Sequence, residues 1–500
     1  MDAGGRDPRG LCVIGASQRT VRDAAAPEPL VSWAQRAREA AAAAGVSHVL
    51  PQIDSIQVVY CQSWPYDDPP GRLAAELGAS PKHRLYSGIG GTTPQDLVNR
   101  TSLAMQRGDL DLALICSAEA LATVRAAKRR GERLSWRHRK SSPFPWEPPH
   151  EAELAHEVMQ AWETFPLWDT ARRARLGHSL DADATEAARV MAAMSDVAAA
   201  NPHAWRPTAL DADTIATPTA DNRYVGWPYT KHEVAVMDVD MSAALLVATA
   251  EKADALGIDE ERRLYLTGWA YAADPASIAA RSDMSRSAAM AVVGRQALAS
   301  AGIGLSDVDA FDLYSCFPSS VRLACDALGL GLDDPRGHTV TGGLPFAGGP
   351  ASGYLTHAIA STFDRMGREP GNALLTGVGM HLAKHVAAVW SSRPHTPVLE
   401  PDLPALQAEV DAAQPPQPLL TAWSGPGTVC AYTVAHGRDG GPTQGLVVLD
   451  TAEGRALARV RERDLLLDAE SRELIWSRSV GDHRRALQRG SLVVRRSGAP

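Results

Sequence analysis

Aromatic side chains make up only 6% of this 500-residue chain, and lysine supplies just six of its 50 cationic residues. Positive charge therefore falls almost wholly to arginine, whose planar fork suits phosphates and carboxylates. With 58 acidic residues the formal charge is -8, which argues against nucleic-acid binding by bulk electrostatics. The cysteines (Cys12, Cys61, Cys116, Cys316, Cys325 and Cys430) contain no CxxC pair. That excludes a zinc ribbon and a disulfide framework and points to a reducing, cytoplasmic setting. No apolar run reaches the roughly 18 residues of a membrane span. Residues 1–10 lack the apolar core of a signal peptide, and no GxGxxG occupies the first strand-to-helix turn. The length allows about three or four domains.

What is present is an internal duplication. "LCVIGAS" (11–17), a helix reading "VSWAQRAREAAAAAGV" and "IDSIQVVYCQS" return later as "RLYLTGWAYAA", "SAAMAVVGRQALASAGI" and "VDAFDLYSCF". "LYSGIGGTTPQ", a helix and "LDLALICSAEAL" return as "GGLPFAGGPAS", a helix and "NALLTGVGMH". Ala44 corresponds to Ala301, Asp54 to Asp309, Gly91 to Gly349 and Cys116 to Thr376, a separation that stays between 255 and 260 residues. Each half reads strand, helix, strand, glycine loop, helix, strand. The strands are short apolar runs, as in a sheet buried on both faces. The fold class is α/β: duplicated βαβαβ halves in a layered arrangement, with two sheets expected about a pseudo-twofold axis.

The first half comprises residues 1–120 and 236–255, the second 256–395. Between them lies an insertion, 121–235, holding a basic stretch (125–140) and the Pro/Trp-rich "SSPFPWEPP"; "VDMSAALLVATA" then returns a buried strand to the first half. Residues 396–500 begin as a Pro-rich linker. They continue as hairpin-like strands, "TVCAYTVAH", "QGLVVLD", "RALARV" and "GSLVVRR", forming a small β-barrel-like module with the character of an oligonucleotide/oligosaccharide-binding (OB) barrel. Tyr432 and Trp476 are its evident aromatics.

"CSAEAL" (116–121), "DVDMSAALLV" (238–247), "DLYSCF" (312–317), "GGPASG" (348–353) and "TGVGM" (376–380), in this order, resemble the thiolase superfamily. The resemblance covers residues 10–395. With the appended module it is closest to sterol-carrier-type thiolases and type-1 thiolase-like proteins. It implies a site between the halves and a coenzyme A thioester as substrate or ligand, nominally in acyl transfer of the acetyl-CoA acetyltransferase type, in lipid metabolism. Departures from the family pattern bear on that chemistry. The loop where thiolases carry the nucleophilic cysteine, Ile89–Gly91, has none, and Gly349 stands where the activating histidine belongs. A thioester-forming nucleophile needs a thiolate and a base within hydrogen-bond reach. Two readings therefore stand: an acyl-CoA enzyme with altered residues, or a non-catalytic acyl-CoA or lipid-intermediate binding protein or scaffold.

Candidate residues follow. Cys316 is either the remaining nucleophile or a small buried hydrophobe, with His357 or His385 as base. His381, Lys384 and His385 have helical spacing, which would put 381 and 385 on one face. Gly90, Gly91, Gly348 and Gly349 are oxyanion-loop candidates or close-packing positions. Tyr314 and Ser315 are either donors lining the expected site or packing residues. Ser87, Thr92 and Thr93 read as loop residues bonding backbone. Arg125, Arg129, Arg130 and Arg133 either hold coenzyme A phosphates or form a solvated basic helix. No metal and no permanently bound cofactor are expected, and the chain is expected as a monomer, a homodimer or a partner subunit.

Overall fold

The computed structural model describes residues 6–137, 149–394 and 398–475. Most of the Pro/Trp-rich stretch (141–148), Trp476 and the expected strand "GSLVVRR" lie outside them.

The chain starts with β1 (Leu11–Thr20), α1 (Pro29–Ala43), β2 (Ser55–Val58), α2 (Pro69–Leu77), β3 (His83–Tyr86), α3 (Thr93–Gln106) and β4 (Leu112–Ala120). α1 buries Leu30, Trp33, Ala34, Ala37 and Ala41, the three-and-four spacing of a single apolar face. The insertion holds α4 (Leu121–Arg130), α5 (Glu151–Ala155), α6 (Ala161–Leu176), α7 (Leu180–Ala200), α8 (Ala212–Ala216), β5 (Tyr224–Trp227) and β6 (Tyr229–Thr230). β7 (Asp240–Thr249) is buried along its whole length, as its apolar run requires, and α9 (Ala250–Ala255) follows. The second half runs β8 (Leu264–Ala273), α10 (Ala288–Ser300), β9 (Ala310–Asp312), α11 (Pro318–Leu328), α12 (Tyr354–Met366), β10 (Asn372–Gly379) and β11 (Lys384–Ser391). The C-terminal part holds α13 (Leu403–Ala413), β12 (Thr428–His436), β13 (Pro442–Asp450), β14 (Arg455–Val460) and α14 (Arg463–Ser471).

The duplication is visible in the sheet order, β3-β2-β4-β7-β1-β8-β11-β10-β9. Read outward from the middle, β1-β7-β4-β2 repeats as β8-β11-β10-β9. The expectation of two sheets is corrected at this midpoint: β1 and β8 pair antiparallel through Cys12–Tyr265 and Val13–Leu264, making one nine-stranded sheet. The layering survives, because α3 and α12 pack against each other and against strands of both halves. Each of these two helices follows a glycine loop, so the loops are brought together between the halves.

The described C-terminal strands form an open antiparallel sheet, ordered β14-β13-β12-β5-β6. Two of its strands come from the insertion: Val434 pairs with Trp227 and Ala435 with Gly226. Trp227 stacks on Tyr432 at 5.5 Å, and Thr170 of α6 donates to the Tyr432 carbonyl at 3.0 Å. Within the expected linker, α13 docks on the second half, where Gln407 bonds both the amide and the carbonyl of Ala273 at 2.9 and 2.8 Å. Beneath the insertion, buried Arg322 joins α11 to α6 and α7 through Asp169 at 3.0 Å, Asp183, and Glu186 at 2.8 Å. Among the described residues no helix is long and apolar enough to cross a membrane.

Candidate functional site

The two glycine loops meet directly: the Gly90 amide donates to the Ser352 hydroxyl at 3.0 Å, across 262 positions of sequence. The second loop is held from below by Asp312, a fully buried carboxylate at the end of β9. It accepts from the Thr339 and Thr341 hydroxyls, the Val340 and Thr341 amides, and the Tyr354 hydroxyl at 2.8 Å. Burial nevertheless raises its pKa. Asp312 and Tyr354 are the positioning residues that sequence reading passed over. Asp312 lies inside the "DLYSCF" motif, and an acid in a buried strand was the available signal. Ala351, Met380 and Leu382, in the two second-half loops, hold positive φ of 46, 56 and 55°; such strain persists only where surroundings over-determine it.

Gly91 is sealed. A β-carbon there would fall inside 3.0 Å of both the Tyr314 hydroxyl and the Val378 carbonyl. Tyr314, set edge-on to Tyr354 at 5.4 Å, thus fills the space a side chain at position 91 would need. The Ser315 hydroxyl accepts from the Leu344 amide at 3.1 Å. Gly348, at φ 110°, packs beneath the insertion: a β-carbon would lie 3.2 Å from Trp205 Cβ.

The insertion also closes the cleft through its backbone. Trp205 and Arg206 donate their amides to the Ala347 and Phe346 carbonyls at 2.9 and 2.8 Å. Ala235 donates to the Cys316 carbonyl at 3.0 Å, Val236 to that of Leu344 at 3.2 Å, and Gly349 back to Val236 at 2.9 Å. The expected oxyanion role is corrected on these grounds for two of the four glycines. The Gly90 and Gly349 amides are spent on Ser352 and Val236, so neither is aimed at an empty position.

Cys316, His357 and His385 do not form a nucleophile–base set. The Cys316 thiol meets Ser320 Oγ at 3.1 Å, and burial pushes its pKa up to about 12. His357 bonds Gln18 Oε1 through Nδ1 at 3.1 Å, its Nε2 is buried without a partner, and burial pushes its pKa down to about 3. His385 turns to the Leu382 carbonyl at 2.9 Å and to Asp274 at 3.3 Å, a carboxylate that also caps the start of α10. The helical spacing read from His381 to His385 is corrected: a turn precedes β11, which begins at Lys384, and His381 Nδ1 instead meets Thr164 at 2.9 Å. Ser87 behaves as a loop residue, accepting from the Tyr60 amide at 2.8 Å.

The described part of the basic stretch, 125–137, runs from within α4 into the segment after it, with its Arg and Lys side chains on the surface. Arg125 pairs with Asp238, and Arg130 forks onto Glu132 at 2.8 and 2.7 Å. Arg129 and Arg133 are exposed and have no ion pair among the described residues. One group of metal-ligand type occurs among the described residues. His178, Asp183 and Glu186 place ligand atoms within 4.8 Å of one another, but Arg322 pairs with both carboxylates and Arg172 with Glu186.

The model of the type 1 thiolase-like protein additional C-terminal domain matches residues 405–480. Among solved structures, a monomeric SCP2-thiolase-like protein type 1 from Mycobacterium smegmatis is 32% identical, with a TM-score of 0.80 over 92% of this chain and 94% of that one. The dimeric peroxisomal thiolase of Saccharomyces cerevisiae is 14% identical, with a TM-score of 0.54 over 78% of this chain and 99% of that one. The acetyl-CoA acetyltransferase of Syntrophomonas wolfei is 15% identical, with a TM-score of 0.50 over 77% and 99%. These last two show the fold alone. No curated protein sequence matches the chain.

Proposed function

The chain belongs to the type-1 SCP2-thiolase-like proteins, and from that premise we propose that it binds acyl-CoA thioesters without forming a covalent acyl intermediate. The observation that carries this reading is the packing of Tyr314 against Gly91, which leaves no room for a nucleophile at the head of α3. Binding energy alone does not replace a missing nucleophile, since it lowers a barrier only where the transition state is held better than the substrate. Cys316 does not take over the role, because a thiol with a pKa near 12 and no base beside it is almost wholly protonated. In this reading Arg129 and Arg133 supply the phosphate contacts, and the protein works in the cytoplasm as a carrier or sequestering protein for lipid intermediates.

Intact-mass spectrometry after incubation with a panel of acyl-CoAs, beside calorimetry with coenzyme A, tests this reading. Binding without an acyl adduct supports it. An adduct on any cysteine overturns it and returns the acyltransferase reading.

A further inference from the structure

Helix α14 packs on β13 and β12 of the C-terminal sheet through a narrow apolar contact. Leu466 and Ala469 are its buried side chains, and Leu466 lies over Gly445, where a β-carbon would stand 3.1 Å from its Cδ2. Leu465 and Leu467, on either side, face outward. The helix has nine residues and no side-chain bond at its N-cap. A helix this short is marginal unless tertiary contacts hold it.

The remaining hold is polar. Glu470, in the last turn of α14, bonds Nε2 of His436 on β12 at 2.6 Å, and His436 Nδ1 bonds the Gly440 carbonyl at 3.0 Å. The His436 side chain is only 3% exposed, with the Tyr224 ring of β5 at 5.3 Å. A carbonyl and a carboxylate only accept, so the ring must supply both protons, and only the imidazolium carries two. Burial opposes that charge, but the bonds to Glu470 and Gly440 outweigh it and raise the pKa. Other charges near the ring are few. Arg223, next to Tyr224, works against the imidazolium, and Glu233 and Asp181 act on the neighbouring Tyr224 hydroxyl. The 437–441 turn carries Arg438 and Asp439, of which Asp439 accepts from the Gly441 amide at 3.2 Å. Beyond α14 the chain is fastened by a bond that does not titrate near neutrality, Glu473 to buried Arg173 at 2.7 Å.

We propose that His436, Glu470 and Gly440 form a proton-dependent latch on α14. With the ring charged, the helix is docked. When the ring gives its proton to solvent, one of the two bonds is lost and α14 loosens between its fastened ends, β14 and the Arg173–Glu473 pair. This exposes the apolar cluster that Leu466 and Ala469 share with Val434, Val447 and Val460. An unfolded histidine titrates near ~6.5. The latch is therefore complete below that pH and is lost as pH rises through the higher folded value. It goes beyond the acyl-CoA reading and does not depend on it.

Hydrogen exchange on the full chain, read by mass spectrometry and corrected for the intrinsic pH dependence of amide exchange, tests the latch. Protection of residues 464–471 should fall about tenfold between pH 6 and pH 8.5, as loss of a hydrogen bond to a charged group implies. His436→Gln should give low protection at both pH values. Should that variant fail to fold, Glu470→Gln, at a partly exposed position, should flatten the fall in the same way. Glu233→Gln, which removes a different buried carboxyl near Tyr224, should keep the fall. Histidine C2-proton exchange should place the His436 pKa above about 6.5. Equal protection of wild-type α14 at the two pH values, a fall that persists in folded His436→Gln or Glu470→Gln, a fall abolished in Glu233→Gln, or a His436 titration at or below that value overturns the proposal.

Discussion

The hydroxyl of Tyr314, from the second half, stands against the α-carbon of Gly91, from the first, leaving no volume for a β-carbon between them. Gly91→Ala must therefore push either the phenol or the Val378 carbonyl. Overpacking of this kind costs about 1–3 kcal/mol, and more where backbone is the obstacle. Thermal unfolding should show the loss, and Tyr314→Ala should recover part of it in the double variant, since the two positions are in contact. Gly91→Cys should fail to install acetoacetyl-CoA thiolysis. A robust rate in that variant would show that the space can be made.

Coenzyme A should bind more tightly than its 3′-dephospho form, with the difference falling as salt rises. Arg129→Ala and Arg133→Ala should each weaken binding about tenfold. Arg130→Ala should do less, because its fork is already engaged by Glu132. Calorimetry with the two nucleotides decides this, and equal affinities would remove the 3′-phosphate from the account.

Cys316 should be a slow thiol. A pKa near 12 leaves about one part in ten thousand as thiolate at pH 8. Peptide mapping after iodoacetamide treatment of the folded protein should find Cys316 labelled slowly, at a rate still rising tenfold per unit at pH 9. A plateau near neutrality would mean a base that the folded geometry does not provide.

Glu233 is fully buried and bonded to the Thr230 amide at 2.8 Å; burial raises its carboxyl pKa to about 8. An unfolded glutamate titrates near ~4.3. Between these values the folded state holds a proton that the unfolded state has lost, so this group's contribution to stability falls as pH rises from about 4.3 to about 8. Glu233→Gln keeps the acceptor for Thr230 and removes the ionisation. Its melting temperature should gain on the wild type across that window and hold the gain above pH 8. A wild type more stable than the variant at pH 9 would contradict the sign.

The duplication could be read from the chain because a buried strand, an amphipathic helix and a glycine loop each leave a local pattern, and the same patterns recur about 255–260 residues later. The junction between β1 and β8 left none, being two backbone pairs without a side-chain signature. The strands "TVCAYTVAH", "QGLVVLD" and "RALARV" lie within β12, β13 and β14 through their alternation, whereas "YVGWPYT" was too short and too rich in turn residues to announce β5 and β6. The glycine loops were legible as loops that meet. What fills them was not. Whether Cys316 faces a base and whether Tyr314 blocks Gly91 depend on which rotamer packs across the pseudo-twofold, and no spacing encodes that.

The sheet shared by β5, β6 and β12–β14 has a consequence for protein engineering and for descent. A graft that moves residues 403–475 onto a relative would carry β12 without the Trp227 edge it pairs with and the α6 surface it lies on. The transplantable unit is discontinuous: the tail travels only with 161–230. Over generations, the middle of the gene and its 3′ end are bound to drift together, each accepting only those changes that its distant neighbour accommodates.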